Sequence, residues 1–442
     1  MKRIRLNLLS VLAVLALLFS SIPAFATDGV VQIEGYPEDY LMVNGKTPDQ
    51  IDATITMWTW DPNFFTMAEK VSAYYPNIKW NFVNVSGDDY LLKLTTALSS
   101  GGEVPDLICM EIQQVAKFYT MDILEDVAAS PWNIDKNLLV PYLADIGTTP
   151  EGMFTSIPNT AAPGGIYYRR DLAKEYFGTD DPEVIGQRMS TWDGFIEMGQ
   201  ELKEKSDGKV SMLAGLDSNI TAWVNQNPLP WVDGNKLLIS ENYLDTFKLI
   251  ERLRDAKIDA GLDDGTPAYY ASYSQGNVFC YFGATWTETF VVAPNDPNGA
   301  GNWAVCRNPG APYNWGGIWW GMYKGSKPEV KEAVAAWMKY ELTPLGAQNK
   351  YELIHFYPGL QSSYTSDYLY KPNEFLGGEL VANYYLDVMQ KMKMPPLEPE
   401  TATFMDTIGF YCRALVKDQG SAEELLDQAE SDLISKVPTF TK

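Results

Sequence analysis

Apolar, β-branched and aromatic residues cluster at 53–60, at 78–85 and in "PDLICME" at 105–111. Between them, at 63–75 and 88–100, apolar positions recur at helical spacing. Short apolar runs suit strands and the longer amphipathic intervals suit helices. Their alternation predicts an α/β layered sheet.

A Pro/Gly-rich passage follows in "SIPNTAAPGGIYYRRDLAKEYFG", with a short aromatic strand and a helix over 170–177 that Gly178 closes. This predicts a crossing from one layer system to another. Thr191 is placed to cap a helix over 191–205, and 241–260 carries a further amphipathic helix. The stretches "GNVFCYFGATW" and "NWAVCRNPG" read as strands, 313–342 as strand, turn and helix, and 402–435 as helix with a break near Gln419 and Gly420. Residues 27–50 mix turn formers with acids and show no period, so an extended leader is expected before a folded body that begins near Ile51.

Composition sharpens this picture. A chain of 442 residues, 46% hydrophobic and 21% charged, can bury a large core, and two or three domains are expected. Lys2, Arg3 and Arg5, an apolar run over 6–19, and Ala24 and Ala26 at a small-x-small site read as a secretory signal peptide cleaved near Ala26. The run falls short of the roughly 20 residues of a membrane span. An exported chain is expected, in periplasm or at the cell surface, and no cysteine beside the cleavage site offers a lipid attachment point.

The formal net charge of −23 repels phosphate backbones, which argues against nucleic acid as a partner. Cys109, Cys280, Cys306 and Cys412 are widely spaced. Buried free thiols and a bridge between Cys280 and Cys306, on neighbouring strands, both remain open. His355 is the single histidine, so a multi-histidine metal site is impossible and a hydrolytic triad has one possible base. No phosphate-binding glycine motif follows a strand. No cofactor, metal or catalytic residue is expected.

Five ordered stretches resemble the extracellular solute-binding proteins of ABC importers, in the carbohydrate-binding group that includes maltose-binding protein. "ITMWTWD" resembles the first strand of that family, and "LTTALSSGGEVPDLICMEI" its helix, glycine turn and Pro-Asp strand. "GGIYYRRDLAKEYFG" resembles its tyrosine strand and helix, "VFCYFGATW" its Gly-x-x-Trp strand, and "WGGIWWGMYKGSKPEVKEAVAAWMKYE" its double-glycine strand and Lys-Pro helix. Arg169 and Arg170 depart from the family's usual Asn-Lys, and aromatic residues are denser than usual. The resemblance implies a two-lobed periplasmic-binding-protein-like α/β fold with a central ligand cleft and several hinge crossings. Lobe one is expected at 51–158 plus 314–357 and lobe two at 159–313 plus 358–442, with crossings near 158–163, near 308–313 and at Pro358. It also implies a monomer that captures a carbohydrate, an oligosaccharide, and delivers it to a membrane permease. A secreted glycoside hydrolase and a peptide- or polyamine-binding protein are the alternatives.

A sugar presents an apolar C–H face and a hydroxyl edge, so its site calls for flat rings beside carboxylates and amides. Trp60 and Asp61 supply both where a strand ends, and ligands of open α/β sheets sit beyond strand ends. Glu111 and Gln113 end the next strand on one side. Asn159 and Tyr168 flank the crossing, and Trp223 lies in a loop that matches the family's aromatic stacking segment. Trp286 is the tryptophan of the Gly-x-x-Trp motif, and Glu288 shares its side. Trp315, Gly316 and Gly317 bring a ring and accessible backbone to the opposite lobe. Trp58, Trp231, Trp319 and Trp320 are expected in the core, with Phe404 a minor candidate contact.

Overall fold

The computed structural model describes residues 26, 27 and 30–442. The expected signal peptide, 1–26, lies outside them apart from Ala26.

The chain builds one five-stranded and one three-stranded sheet, besides two small two-stranded pairs, among the described residues. Strands β1 (Ala53–Thr59), β2 (Ile78–Asn84), β3 (Leu107–Glu111), β4 (Ser156–Pro158) and β8 (Ile318–Met322) form the larger sheet. Its order is β2-β1-β3-β8-β4, so the late strand β8 returns between two early ones. β1 runs parallel to β2 and β3, whereas β8 is antiparallel to β3 and β4. Parallel strands require crossover helices, which α1 (Asn63–Glu69) and α2 (Gly87–Ser100) supply. Ser86 starts α2 by accepting the Asp89 amide.

The smaller sheet has β5 (Gly164–Arg169) at its centre, flanked antiparallel by β6 (Cys280–Ala284) and β7 (Trp303–Cys306). Alternate residues of β5 enter two different cores. Ile166 and Tyr168 pack in one cluster with Phe282, and Tyr167 packs in the other with Tyr281 and Trp303. Being buried on both faces, this strand shows no polar alternation.

The helices that cover the sheets follow their sequence signals. Gly178 ends α3 (Arg170–Phe177) at φ 77°, a left-handed value that a side chain would strain. Thr191 accepts the Gly194 amide at 3.1 Å and starts the long helix Trp192–Lys205. Arg170 clamps a strand end to distant chain: its guanidinium donates to the Trp303 and Leu376 carbonyls and pairs with Asp180 and Glu379.

Two organisational expectations need correction. First, the leader does not stand clear of the fold, because Tyr40, Leu41 and Val43 are buried. Tyr36 and Tyr40 donate to the Leu342 and Lys339 carbonyls, and Lys46 pairs with Glu332 at 2.5 Å. Aromatic rings with satisfied hydroxyls hold this segment on the fold. Second, Cys280 and Cys306 are not on neighbouring strands: β5 lies between them, and all four cysteines are free and buried. Beyond Pro358, Leu360 bridges to Leu139, and further on Asn373 bonds Glu288.

Candidate ligand site between the two sheets

The carboxyl ends of β1 and β3 lie side by side. At the first, the Trp60 ring stands edge-on to Tyr90 of α2, with centroids 5.3 Å apart. The Tyr90 hydroxyl accepts the Cys109 amide at 2.9 Å, so helix and strand together orient the indole. Asp61 accepts the Asn63 amide at 2.9 Å, which ties one carboxylate oxygen to the start of α1. At the second, Glu111 is exposed and sits opposite Ile318 of β8. Desolvation raises its carboxyl above the ordinary value.

The segment Asn314–Gly317 meets these ends. The Ile112 amide donates to the Gly317 carbonyl at 3.1 Å. Gly317 has φ 114°, and a Cβ there would come within 2.8 Å of the Trp319 ring, so only glycine fits. From the other sheet, Trp286 donates its indole N–H to the Trp315 carbonyl at 2.8 Å, and the two rings meet edge-on at 5.6 Å. Asn225 donates to the Asn314 carbonyl at 2.9 Å, and Tyr142 reaches the Asn314 side-chain oxygen at 3.3 Å. The crossing is therefore bonded from both bodies. Gln113, Asn225 and Gly316 line one recess.

Glu288 lies two residues beyond Trp286 in a π-helical turn, Glu288–Val292, and accepts from Asn373 at 2.7 Å. Such turns recur at functional positions. Burial pushes its carboxyl up to about 7. In the same turn Phe290 is 42% exposed, a large apolar surface for a soluble position. It approaches Phe356 at 5.8 Å, and Phe356 packs on Phe64 of α1.

The structure thus joins Glu111, Gln113, Trp286, Trp315, Gly316 and Gly317 through direct neighbours, with Trp60 and Asp61 just beyond the end of the adjoining strand and Glu288 beside Trp286. Asn159 follows β4 with its amide N–H on the Ile318 carbonyl, buried, and its side-chain Nδ2 has no partner among the described residues. Two candidates are not brought to this group. Tyr168 is fully buried and donates to the Asp180 carbonyl at 2.7 Å, at the far end of β5 from Gly164. Trp223 is 1% exposed and packs edge-on against Trp192 and Phe282, inside a short helix, Ile220–Asn225, where a loop was expected. The side chain of that helix that reaches the crossing is Asn225. Phe404 is buried and stacks on Trp231 at 4.7 Å, a core role for both rings. Asn225, Phe290, Asn314 and Asn373 were missed by the sequence reading. Among them only the exposed aromatic Phe290 carries a local signal.

Among the described residues, no cluster of three or more His, Cys, Asp and Glu is set to hold a metal. No helix there is long and apolar enough to cross a membrane.

Known proteins share this fold. A lactose-binding protein from Rhizobium radiobacter is 28% identical over 358 residues, which span 75% of this chain and 81% of that protein. The GacH receptor of Streptomyces glaucescens GLA.O superposes with a TM-score of 0.72 at 17% identity, over 89% of this chain and 100% of its own. The galacto-N-biose-/lacto-N-biose I-binding protein of the ABC transporter from Bifidobacterium longum gives 0.71 at 17% identity, over 89% and 100%. These likenesses establish the two-lobed α/β fold. The family model for bacterial extracellular solute-binding proteins matches residues 62–348, and the chain belongs to that family.

Proposed function

We propose that this protein captures a carbohydrate, an oligosaccharide, between its lobes outside the cytoplasm and delivers it to the permease of an ABC transporter. It acts as a monomeric binding protein and not as an enzyme. The observation that carries the reading is the Trp286–Trp315 pair, bonded across the crossing beside Glu288. Rings and an acid at a joint between two bodies can bind a sugar face and its hydroxyl edge at once. The relatives support the chemistry, since they include a lactose-binding protein, a receptor solved with acarbose and a protein solved with lacto-N-biose.

In this reading Trp60, Asp61, Glu111, Gln113 and Asn159 face the ligand from lobe one. Trp286 and Glu288 face it from lobe two, and Trp315, Gly316 and Gly317 from the crossing. Lobe one comprises the leader from residue 33, 51–158 and 314–370, and lobe two comprises 159–313 and the later chain. Ligand bridging both lobes stabilises the closed form because contacts with the second lobe exist only on closure.

The test is a thermal-shift screen of the purified protein against mono- and oligosaccharides, with peptides and polyamines as controls, followed by product analysis of each hit. A ligand at about 100 times its Kd stabilises the native state by about 2.7 kcal/mol. The expected result is a raised melting temperature with a sugar series and no cleavage. Cleavage products would indicate a hydrolase, and a shift with peptide or polyamine alone would replace the sugar.

A further inference from the structure

The segment Met392–Glu398, between the helices Val381–Lys391 and Thr401–Val416, has no regular secondary structure and lies beside Gln113 and Gly316 on one hand and Asn225 and Trp231 on the other. Its four residues Met394, Pro395, Pro396 and Leu397 form part of the wall of two separate cavities. On the inner side is the recess of Gln113, Asn225 and Gly316, about 40 Å³. On the outer side is a groove of about 720 Å³ lined by Tyr119, Tyr142, Asp145 and Leu229. Small-molecule sites occupy roughly 300–1,000 Å³, so the groove, not the recess, has the room of a ligand subsite.

The strap is stiff but lightly held. Its two prolines fix φ and offer no N–H, and residues 393–396 make no backbone hydrogen bond among the described residues. Met392 is buried at one end. At the other, the Tyr119 hydroxyl donates to the Leu397 carbonyl at 3.5 Å.

We propose that Met394–Leu397 is the end wall of the ligand cleft and sets the length of oligosaccharide the protein accepts. The outer groove would be the subsite for further sugar units that this wall denies to the ligand. The inference rests on the carbohydrate reading above. Tyr119, Tyr142 and Asp145 repeat there the combination of rings and carboxylate that a sugar requires. Loosening the wall therefore shifts preference towards longer chains without touching the residues assigned to the ligand.

The test measures, by calorimetry, the affinities of two series: maltose to maltotetraose, and lactose with its galactosylated tri- and tetrasaccharides. The wild type is compared with a Pro395→Gly/Pro396→Gly variant and with Tyr119→Phe, which loses only the hydroxyl at Leu397. In the bound series, the affinity ratio of tetra- to disaccharide is expected to rise about tenfold in the double variant and several-fold in Tyr119→Phe. Circular dichroism checks folding, and if the double variant does not fold, Tyr119→Phe decides. Sugar binding with an unchanged length profile overturns the inference alone. Binding of neither series by the wild type overturns the carbohydrate reading and the inference with it.

Discussion

The indole nitrogen of Trp286 donates a 2.8 Å hydrogen bond to the main-chain carbonyl of Trp315. The end of one sheet thereby holds the segment that enters the other, and the ligand contact proposed for Trp286 falls on the same residue. Trp286→Phe keeps a ring and loses the donor, so it should cost about 1 kcal/mol of stability and weaken sugar binding about tenfold or less. Trp286→Ala removes the platform and should weaken binding by about 2 kcal/mol or more, near 30-fold. Calorimetry and urea unfolding separate the two effects. Unchanged affinity in both variants would take Trp286 out of the site.

Stability should fall as pH rises through neutrality. Burial pushes the Glu288 carboxyl from 4.5 up to about 7. Between those values the folded state keeps a proton that the unfolded chain has released. Its contribution is fully present below pH 4.5 and is lost as pH rises through about 7. Glu288→Gln stays neutral and still offers Asn373 an acceptor. At about pH 8 it should exceed the wild type in stability by on the order of 1–2 kcal/mol, a difference that vanishes in acid. Urea midpoints across pH test this, and parallel curves for the two proteins would show that Glu288 is solvated.

Local signals located most of the framework. The apolar run at 53–59 became β1, with Trp58 buried as its position demanded, and the caps at Thr191 and Gly178 stand where their residue types require. Where the reading failed, tertiary context decided. Tyr168 flanks the crossing in sequence, but β5 is buried on both faces and packs this ring in the core. Trp223 sits among turn-forming residues, yet Ile220, Trp223 and Val224 share one buried helical face, a short period that was there to be counted. The candidate site depends on pairs such as Glu288 with Asn373, 85 residues apart, which no local pattern announces.

The four thiols should all titrate in denaturant without reductant. Cys280 pairs in register with Tyr168 and Cys306 with Ile166, on opposite sides of β5. Strands lie roughly 4.8 Å apart, which separates the two outer strands by about 9.6 Å, and the two-residue offset in register adds to that, so the cysteines lie beyond the roughly 7 Å a disulfide can span. The Cys280 thiol instead donates to the Met212 carbonyl at 3.2 Å. Reductant should leave the melting temperature unchanged. A missing pair of thiols, or a drop of several degrees with reductant, would show that the strand order in this sheet is wrong.

A buried ion pair fixes the first crossing. Lys350 and Glu341 side chains are 4% and 3% exposed and meet at 2.6 Å. Lys350 also donates to the carbonyl of Asn159, where β4 leaves the larger sheet, at 2.5 Å. Removing one charge of such a pair strands the other in a medium that cannot solvate it, whereas removing both relieves the cost. Lys350→Met should therefore lose about 3–5 kcal/mol, and Lys350→Met/Glu341→Leu should recover much of it in urea unfolding. Because the Asn159 carbonyl loses its donor in both proteins, sugar affinity should stay below wild type even in the stabilised double variant. A double-variant loss equal to the sum of the Lys350→Met and Glu341→Leu losses would mean that the charges are independently solvated. Wild-type affinity in the double variant would mean that Lys350 serves stability and leaves the position of the crossing to the Asn225–Asn314 and Trp286–Trp315 bonds.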